Sequence, residues 1–301
     1  WKRPAVIGVS VVGVIGVLVL AISLMFSGDA DPSLINSPPV VASQLIPSPE
    51  PAPVQATANT LPPSLQEGLV AYYPFNGNAN DESGNGHHAS NSVVKLTADK
   101  HGLKNRSLAP NQLLEIPNHS DFNLGRSLDK SLTVSLWFRG HSSSSTIPPG
   151  TLIAKYPQHD KRGDIGAHSD WAILNHYQNI TNGIIWATGP SPNNGYGSND
   201  NSFLASGINP VPNTWHHLVV IYSPVDKPSK RIYHNKRIVK ESISGKKGTV
   251  NGWPVFIGKW PGKIDDIRIY NRALSATEVK SLYEYEAKPR ASSIPTAPAI
   301  D

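Results

Sequence analysis

The sequence GKWPGKIDDIRIYNRALS, residues 258–275, carries the strongest structural signals in the chain. Its isoleucines and its tyrosine predict a β-strand over residues 264–270. Two adjacent carboxylates, Asp265 and Asp266, lie inside this strand. Acidic pairs are unusual within a strand unless a cation or a cationic side chain faces them, so the segment also marks a candidate site.

The start of a helix follows this strand. Ser275 precedes Glu278 by three residues, which is the spacing of a capping box. The sequence therefore predicts a helix over residues 276–284, and this is the one segment of the β-rich region with helical character.

Alternating apolar and polar residues predict further strands on the N-terminal side. In the segment LTVSLWFR, residues 132–139, leucine, valine and phenylalanine occupy one face, and Thr133, Ser135 and Trp137 occupy the other. Similar signals predict strands at 68–75, 214–222 and 255–258, and a hairpin over 231–239 with Asn235 in its turn. Many strands with little helix predict an all-β fold over residues 66–288, an antiparallel jelly-roll β-sandwich.

The N-terminal segment has the composition of a membrane span. Residues 5–26 are an apolar run of 22 residues, long enough to cross a hydrocarbon core of about 30 Å as a helix. Lys2 and Arg3 precede the run and Asp29 follows it, so the N-terminus is expected in the cytoplasm and the rest outside. We expect a transmembrane anchor over residues 1–27. A cleaved signal peptide is the alternative, although the run is longer than a usual signal core.

Polar and proline-rich segments flank the β-rich region. Residues 28–65 contain many prolines, which favour an extended, disordered linker between the anchor and the next domain. Residues 289–301 are expected to form a disordered tail. Because the chain begins with Trp1 and not with methionine, we expect it to be a fragment of a longer protein.

Composition excludes several classes of site. The chain has no cysteine, which rules out disulfides, zinc–thiolate sites and thiol catalysis. The formal net charge is +5, but the basic residues are scattered and no RNA-type aromatic motif accompanies them. The sequence therefore predicts no nucleic-acid partner.

Several motifs occur in a family order. The segments GLVAYYPFNGNANDESGNGH (68–87), IPNHSDF (116–122), SLTVSLWF (131–138), TWHHL (214–218) and the 262–274 segment resemble the laminin-G-like family of concanavalin A-like jelly rolls. The turn at 234–236 departs from it, since His-Asn-Lys stands where the family favours Asp-Gly. The resemblance implies a ligand-binding or adhesive module, often one that holds calcium.

The resemblance also implies where calcium would bind. In that family the early loop and the late Asp-Asp strand lie side by side, which would bring Asn78 and Asp81 to Asp265 or Asp266. Calcium prefers several oxygen ligands, which these side chains supply. Neighbouring strand residues point to opposite faces, so both late aspartates reach one ion only if the strand has a bulge. The alternative is an Asx-turn loop held by a hydrogen-bonded carboxylate.

A ligand is expected on the loop-rich segment 140–213, which carries aromatic residues among many polar ones. Aromatic faces with polar neighbours suit sugar binding. The candidate ligand-binding residues are Trp171, His176, Tyr177, Trp186 and Tyr196. The alternative for the two tryptophans is that they lie in strands and fill the core.

The sequence indicates a binding function and not catalysis. It contains no pair of carboxylates on one strand face of the kind glycoside hydrolases use, no nucleophile elbow and no metal-binding histidine set. We expect an extracytoplasmic carbohydrate- or glycoprotein-binding module, in the periplasm or on the cell surface, whose partner is a glycan or a glycosylated surface protein. The alternatives are the external sensor domain of a larger signalling protein or enzyme, and an adhesion module without a small ligand.

Overall fold

The computed structural model describes residues 60–90, 93–124, 129–140, 150–155, 170–177, 180–188, 203–243 and 252–289. The chain divides into two compact units, residues 1–54 and 55–301, and every described residue belongs to the second. No helix in the described ranges is long and apolar enough to cross a membrane. The predicted anchor, most of the predicted linker and nearly all of the predicted tail lie outside those ranges.

Short strands account for most of the regular structure. The described strands are β1 (Leu69–Tyr73), β2 (Leu96–Thr97), β3 (Ser107–Leu108), β4 (Leu113–Ile116), β5 (Leu132–Arg139), β6 (Gly150–Lys155), β7 (Trp171–Tyr177), β8 (Ile180–Thr188), β9 (Phe203–Ala205), β10 (Trp215–Tyr222), β11 (Lys230–His234), β12 (Arg237–Ser242), β13 (Val255–Gly258) and β14 (Ile264–Tyr270). The described helices are α1 (Pro63–Gln66), a 3-10 turn (Ser120–Phe122) and α2 (Ala276–Glu286).

The strands form two antiparallel sheets. The larger sheet has the order β12-β11-β10-β5-β14-β3-β2, and β1 also pairs with β14. The smaller sheet has the order β4-β13-β6-β7-β8-β9. This arrangement confirms the predicted all-β sandwich and is consistent with a jelly roll.

The alternation in β5 separates two environments. Leu132, Val134, Leu136 and Phe138 face the main core between the sheets, as the sequence predicts. The opposite face of the larger sheet is covered by α2, where Val279 and other apolar side chains form a second cluster. Burial of apolar surface on both faces stabilises the sheet, because each face is removed from water.

The predicted capping box starts α2. The Ser275 hydroxyl accepts the Glu278 backbone N–H at 3.2 Å, and the Ser275 backbone N–H donates to the Glu278 carboxylate at 2.8 Å. These bonds satisfy donors that the first helical turn leaves free. The prediction is confirmed, and the helix runs on to Glu286, beyond the predicted end at residue 284.

A buried ion pair explains why the helix extends. Glu286, the last residue of α2, pairs with Arg268 of β14, and both side chains are almost fully buried. The Glu286 carboxylate also accepts the indole N–H of Trp137 at 2.7 Å. The end of α2 is therefore fixed to the larger sheet by charge and hydrogen bonding.

Removal of this carboxylate should weaken the fold. In Glu286→Ala the Arg268 guanidinium would stay buried without its counter-ion, so we expect the free energy of unfolding to fall by about 3–5 kcal/mol. Urea denaturation of the full chain measures this loss.

The matched control is Glu284→Ala, two positions earlier on the same helix. Glu284 pairs with Lys236 at 3.2 Å, but both side chains are about two-fifths exposed. Exposed ion pairs contribute about 0–1 kcal/mol, so the control should change stability little. Equal effects of the two substitutions would contradict the role given to the buried pair.

Two adjacent histidines on β10 are held neutral. His217 lies behind α2, and its imidazole hydrogen-bonds Ser135 at 2.8 Å. Burial, followed by the positive charges of Lys100 and Arg268, lowers the pKa of His217 to about 3. Burial, followed by the nearby His234, lowers the pKa of His216 to about 4. Glu286 lies 3.4 Å from His217, but its charge is already matched by Arg268.

These shifts predict a loss of stability in acid. In the unfolded chain histidine protonates near pH 6.5, whereas in the folded chain His216 and His217 resist protonation until about pH 4 and pH 3. Stability from these groups is therefore complete above pH 6.5 and is lost as the pH falls towards 4. Burial raises the pKa of Asp170 to about 7, which offsets part of the loss because this carboxyl gains a proton more readily in the folded state.

His217→Gln should make stability less dependent on pH. By linkage, His217 alone accounts for about 2 kcal/mol of unfolding free energy between pH 7 and pH 5. Denaturation of wild type and variant at both pH values measures the difference. An unchanged pH dependence in the variant would refute the neutral, buried state of His217.

Candidate functional site

Asp81 organises the loop that follows β1. Its carboxylate is buried and accepts hydrogen bonds from the backbone of Tyr72, from the backbone and hydroxyl of Ser83 and from the backbone of His87, all at 2.9 Å. Burial by itself would raise the pKa of Asp81, but these hydrogen bonds lower it below its usual value. Asp81 therefore holds the loop as an ionised acceptor, which is the hydrogen-bonded alternative considered from the sequence.

Asp265 and Asp266, called here the late aspartates, contact a lysine. A register shift in the pairing of β14 with β5 falls between Asp265 and Arg268, and Asp266 has φ +47°. This bulge, the condition set by the sequence for a shared site, lets both carboxylates approach Lys100. The Lys100 ammonium lies 2.5 Å from Asp266 Oδ2 and 3.4 Å from Asp265 Oδ2.

The remaining oxygens of the late pair also have protein donors. Asp266 Oδ1 accepts the Tyr72 hydroxyl at 2.9 Å, and Asp265 Oδ1 accepts the Asp266 backbone N–H at 2.8 Å. The cavity beside these groups has a volume of about 10 Å³. That is close to the space needed by one water molecule.

The predicted calcium ligands are each engaged by protein groups in this arrangement. Asn78 is exposed and its side-chain oxygen accepts the backbone N–H of Asn80 at 2.8 Å. The carboxylate of Asp81 is engaged by its own loop, and Lys100 supplies the positive charge at Asp265 and Asp266. A calcium ion would have to displace this ammonium, and calcium at these residues stays a prediction.

The predicted aromatic ligand residues fall into two groups. Trp171 and Trp186 lie in the main core with no exposed surface, which is the alternative left open by the sequence. The Trp171 indole donates to the backbone oxygen of Phe122 at 2.7 Å. Their side chains are therefore not available to a ligand, because the two sheets pack over them.

The side chains of the other three predicted residues lie outside what the structure describes. His176 and Tyr177 belong to the backbone of β7, and their side chains lie outside what the structure describes. Tyr196 lies outside the described ranges altogether. Their role in ligand binding stays a prediction.

A polar cleft opens next to the 3-10 turn. Its volume is about 350 Å³, within the usual range for ligand pockets. The lining residues are Asp121, Asn123, Lys130, Ser131, Asn271 and Arg272. The cleft was not predicted from the sequence, although residues of the IPNHSDF segment and of the 262–274 segment, both of which carry the family resemblance, line it.

The groups that line the cleft differ in exposure and in their protein partners. The Asp121 side chain is 43% exposed, and Lys130 is exposed. The side-chain oxygen of Asn123 is buried and accepts no hydrogen bond from any described residue. In contrast, Arg272 is held by the Glu278 carboxylate at 2.8 Å and by the backbone oxygen of Glu67 at 2.8 Å. The cleft thus combines one fixed cation with adjustable donors and acceptors.

The fold and the sequence define the family. The laminin-G family model described as concanavalin A-like lectin/glucanases superfamily matches residues 111–280, more than half of the chain. The chain therefore belongs to this family. None of the curated proteins matches the chain in sequence.

Solved structures share the fold at low identity. The binding domain of Paraclostridial mosquitocidal protein 1 is 17% identical with a TM-score of 0.52, and the botulinum neurotoxin DC binding domain in complex with SialylT is 13% identical with a TM-score of 0.51. A structure of botulinum neurotoxin type C, a toxin whose cell entry depends on interaction with two ganglioside molecules, is 15% identical with a TM-score of 0.50. Each match covers 73% of this chain and 52% of the other, so this chain spans about half the length of these relatives.

Calcium dependence of stability tests the metal prediction. If Lys100 keeps its place at Asp265 and Asp266, the melting temperature of the full chain will be the same in calcium and in excess chelator. Asp81→Ala should lower stability by at least about 1.5–3 kcal/mol in both, because buried loop donors lose a charged acceptor.

Two further variants sharpen this experiment. Asn78→Ala, in the same loop but exposed, should leave the melting temperature nearly unchanged. Lys100→Met removes the ammonium from the late aspartates, and calcium should then raise the melting temperature. A calcium-dependent rise in wild type that Asp81→Ala abolishes would instead establish the predicted ion.

Proposed function

We propose that this chain is a carbohydrate- or glycoprotein-binding recognition module that acts outside the cytoplasm. The observation that carries this proposal is the polar cleft lined by Asp121, Asn123, Lys130, Ser131 and Arg272. Sugars present many hydroxyls, each of which donates and accepts hydrogen bonds. A cleft with a carboxylate, an amide, a hydroxyl and an ammonium offers partners of both kinds.

The side-chain oxygen of Asn123, a residue that lines the cleft, lacks a hydrogen-bond donor among the described residues. A buried acceptor without a partner costs free energy, about 1–3 kcal/mol in typical proteins. A ligand hydroxyl would satisfy it once the Asn123 amide turns towards the cleft. Lys130 and Ser131 come from the adjoining segment and would bind other hydroxyls, or a carboxylate if the sugar is acidic.

The relatives in fold support the same class of ligand. One of them is a toxin binding domain in complex with SialylT, and another is a toxin whose cell entry depends on two ganglioside molecules. At identities of 13% and 15% this likeness concerns the fold, and the ligand class is our proposal for this chain. A glycan or a glycosylated surface protein is accordingly the proposed partner.

Binding without catalysis is the proposed activity. Among the described lining residues, Asp121 is the one carboxylate. Glycoside hydrolysis commonly needs two carboxyl groups on either side of the scissile bond. The cleft therefore suits recognition better than hydrolysis.

The placement outside the membrane is proposed from the N-terminal sequence. The apolar run at 5–26 with Lys2 and Arg3 before it would anchor the module and leave the sandwich on the far side. The proline-rich linker would hold the module away from the bilayer.

A glycan array with the full chain tests the proposal. We expect binding to a subset of glycans, followed by a loss of about 10-fold or more in affinity for Asn123→Ala and Lys130→Ala, since each removes a cleft group that bonds the ligand. Isothermal titration with the best glycan measures the affinities.

Lys240→Ala is the matched control, because Lys240 lies exposed on β12 and does not line the cleft. Its affinity should equal that of wild type. An array without any bound glycan would refute the proposal and favour an adhesion module without a small ligand. Binding that survives both cleft substitutions would place the glycan site elsewhere.

A further inference from the structure

Two histidines and an aspartate meet on the surface beside the cleft. The ligand atoms of His87, His119 and Asp121 all lie within 4.8 Å of one another. His119 Nδ1 is 3.3 Å from Asp121 Oδ2, and His87 Nε2 is 4.0 Å from the same oxygen. Within the described part of the chain, this group has the composition and spacing of a metal site.

The fold fixes His87 from both sides of its backbone. Its N–H donates to Asp81 at 2.9 Å, and its carbonyl accepts the Tyr73 hydroxyl at 2.6 Å. Its ring packs 4.8 Å from the ring of Phe122. The imidazole is therefore held in one place against the core.

The other two ligands come from a turn that is also anchored. His119 and Asp121 flank Ser120 at the start of the 3-10 turn, and the backbone oxygen of Phe122 accepts the buried Trp171 indole at 2.7 Å. His119 Nδ1 accepts the backbone N–H of Asp121 at 3.4 Å, a long bond that is readily given up. The turn is fixed while its two side chains can adjust.

The His87 ring lacks a hydrogen-bonding partner of its own. Its side chain is only 10% exposed, yet its ring nitrogens form no hydrogen bond with any described residue. A largely covered imidazole facing a second imidazole and a carboxylate is well placed to bind a metal ion.

We propose that His87, His119 and Asp121 bind a divalent transition-metal ion of the zinc type. Ligand atoms that surround a tetrahedral zinc ion at about 2.0–2.1 Å lie about 3.4 Å apart. The 3.3 Å distance matches this value, whereas the 4.0 Å distance and the overall spread of up to 4.8 Å must shorten as the exposed side chains close on the ion. Two imidazole nitrogens favour zinc, nickel or copper over calcium, which prefers oxygen.

The site would be open to solvent on one side. The side chains of His119 and Asp121 are 49% and 43% exposed, so an ion can enter without unfolding of the loop. Three protein ligands leave at least one position of a tetrahedral ion for water or another group. This site is distinct from the predicted calcium residues, and it shares Asp121 with the polar cleft.

Isothermal titration of zinc chloride into the full chain, produced without a histidine tag, tests the proposal. We expect one zinc ion per chain. His119→Ala and Asp121→Asn should each weaken binding about 10-fold or more, because each removes a ligand. Both residues are partly exposed, so the variants should remain folded, which their melting temperatures without zinc will verify.

His88→Asn is the matched control. His88 is the exposed neighbour of His87, and its Nδ1 accepts the Asp81 backbone N–H at 3.1 Å, a bond that an asparagine oxygen can replace. This variant should bind zinc as wild type does. A second readout is cobalt absorption, whose visible bands should appear in wild type and in His88→Asn and fade in the two site variants.

Other outcomes would overturn the proposal. Absence of zinc binding, or zinc binding unchanged in both His119→Ala and Asp121→Asn, would show that these residues hold no ion. Complete displacement of zinc by a small excess of calcium would likewise exclude a site built on two imidazoles.

Discussion

The burial of charged groups on the outer face of the larger sheet constrains the rest of the structure. Arg268 and Glu286 are both nearly inaccessible to water, and neither could be buried without the other. The pair joins β14 to the end of α2, and Trp137 bonds the same carboxylate from β5. The helix therefore covers one face of the sandwich through a charge contact as well as apolar packing, and His217 beneath it is kept neutral.

The same principle explains the Asp265–Asp266 pair. Two buried carboxylates need a cation, and a bulge in β14 directs both of them to Lys100. A lysine in this role holds the loop around residue 100 against the sheet. The acidic pair that the sequence marks as a candidate site is thus, in this structure, part of the folded framework.

The surface available to ligands forms where two motifs meet. The loop after β1 places His87 through Asp81, and the turn at Ser120–Phe122 places His119 and Asp121 through contacts with the core. Asp121 belongs both to this histidine group and to the polar cleft. Rigid backbone anchors with adjustable exposed side chains are a suitable basis for binding, since the site is largely preorganised before a ligand arrives.

The sequence by itself determined the strand pattern, the face alternation in Leu132–Arg139 and the capping box at Ser275, because these depend on residues close together in the chain. It did not determine which residues far apart would meet. The core position of Trp171, the lysine opposite Asp265 and Asp266, and the group formed by His87 with His119 all arise from contacts across the sandwich. Only the tertiary structure decided them, because side-chain charge, burial and partner identity depend on neighbours that the local pattern does not specify.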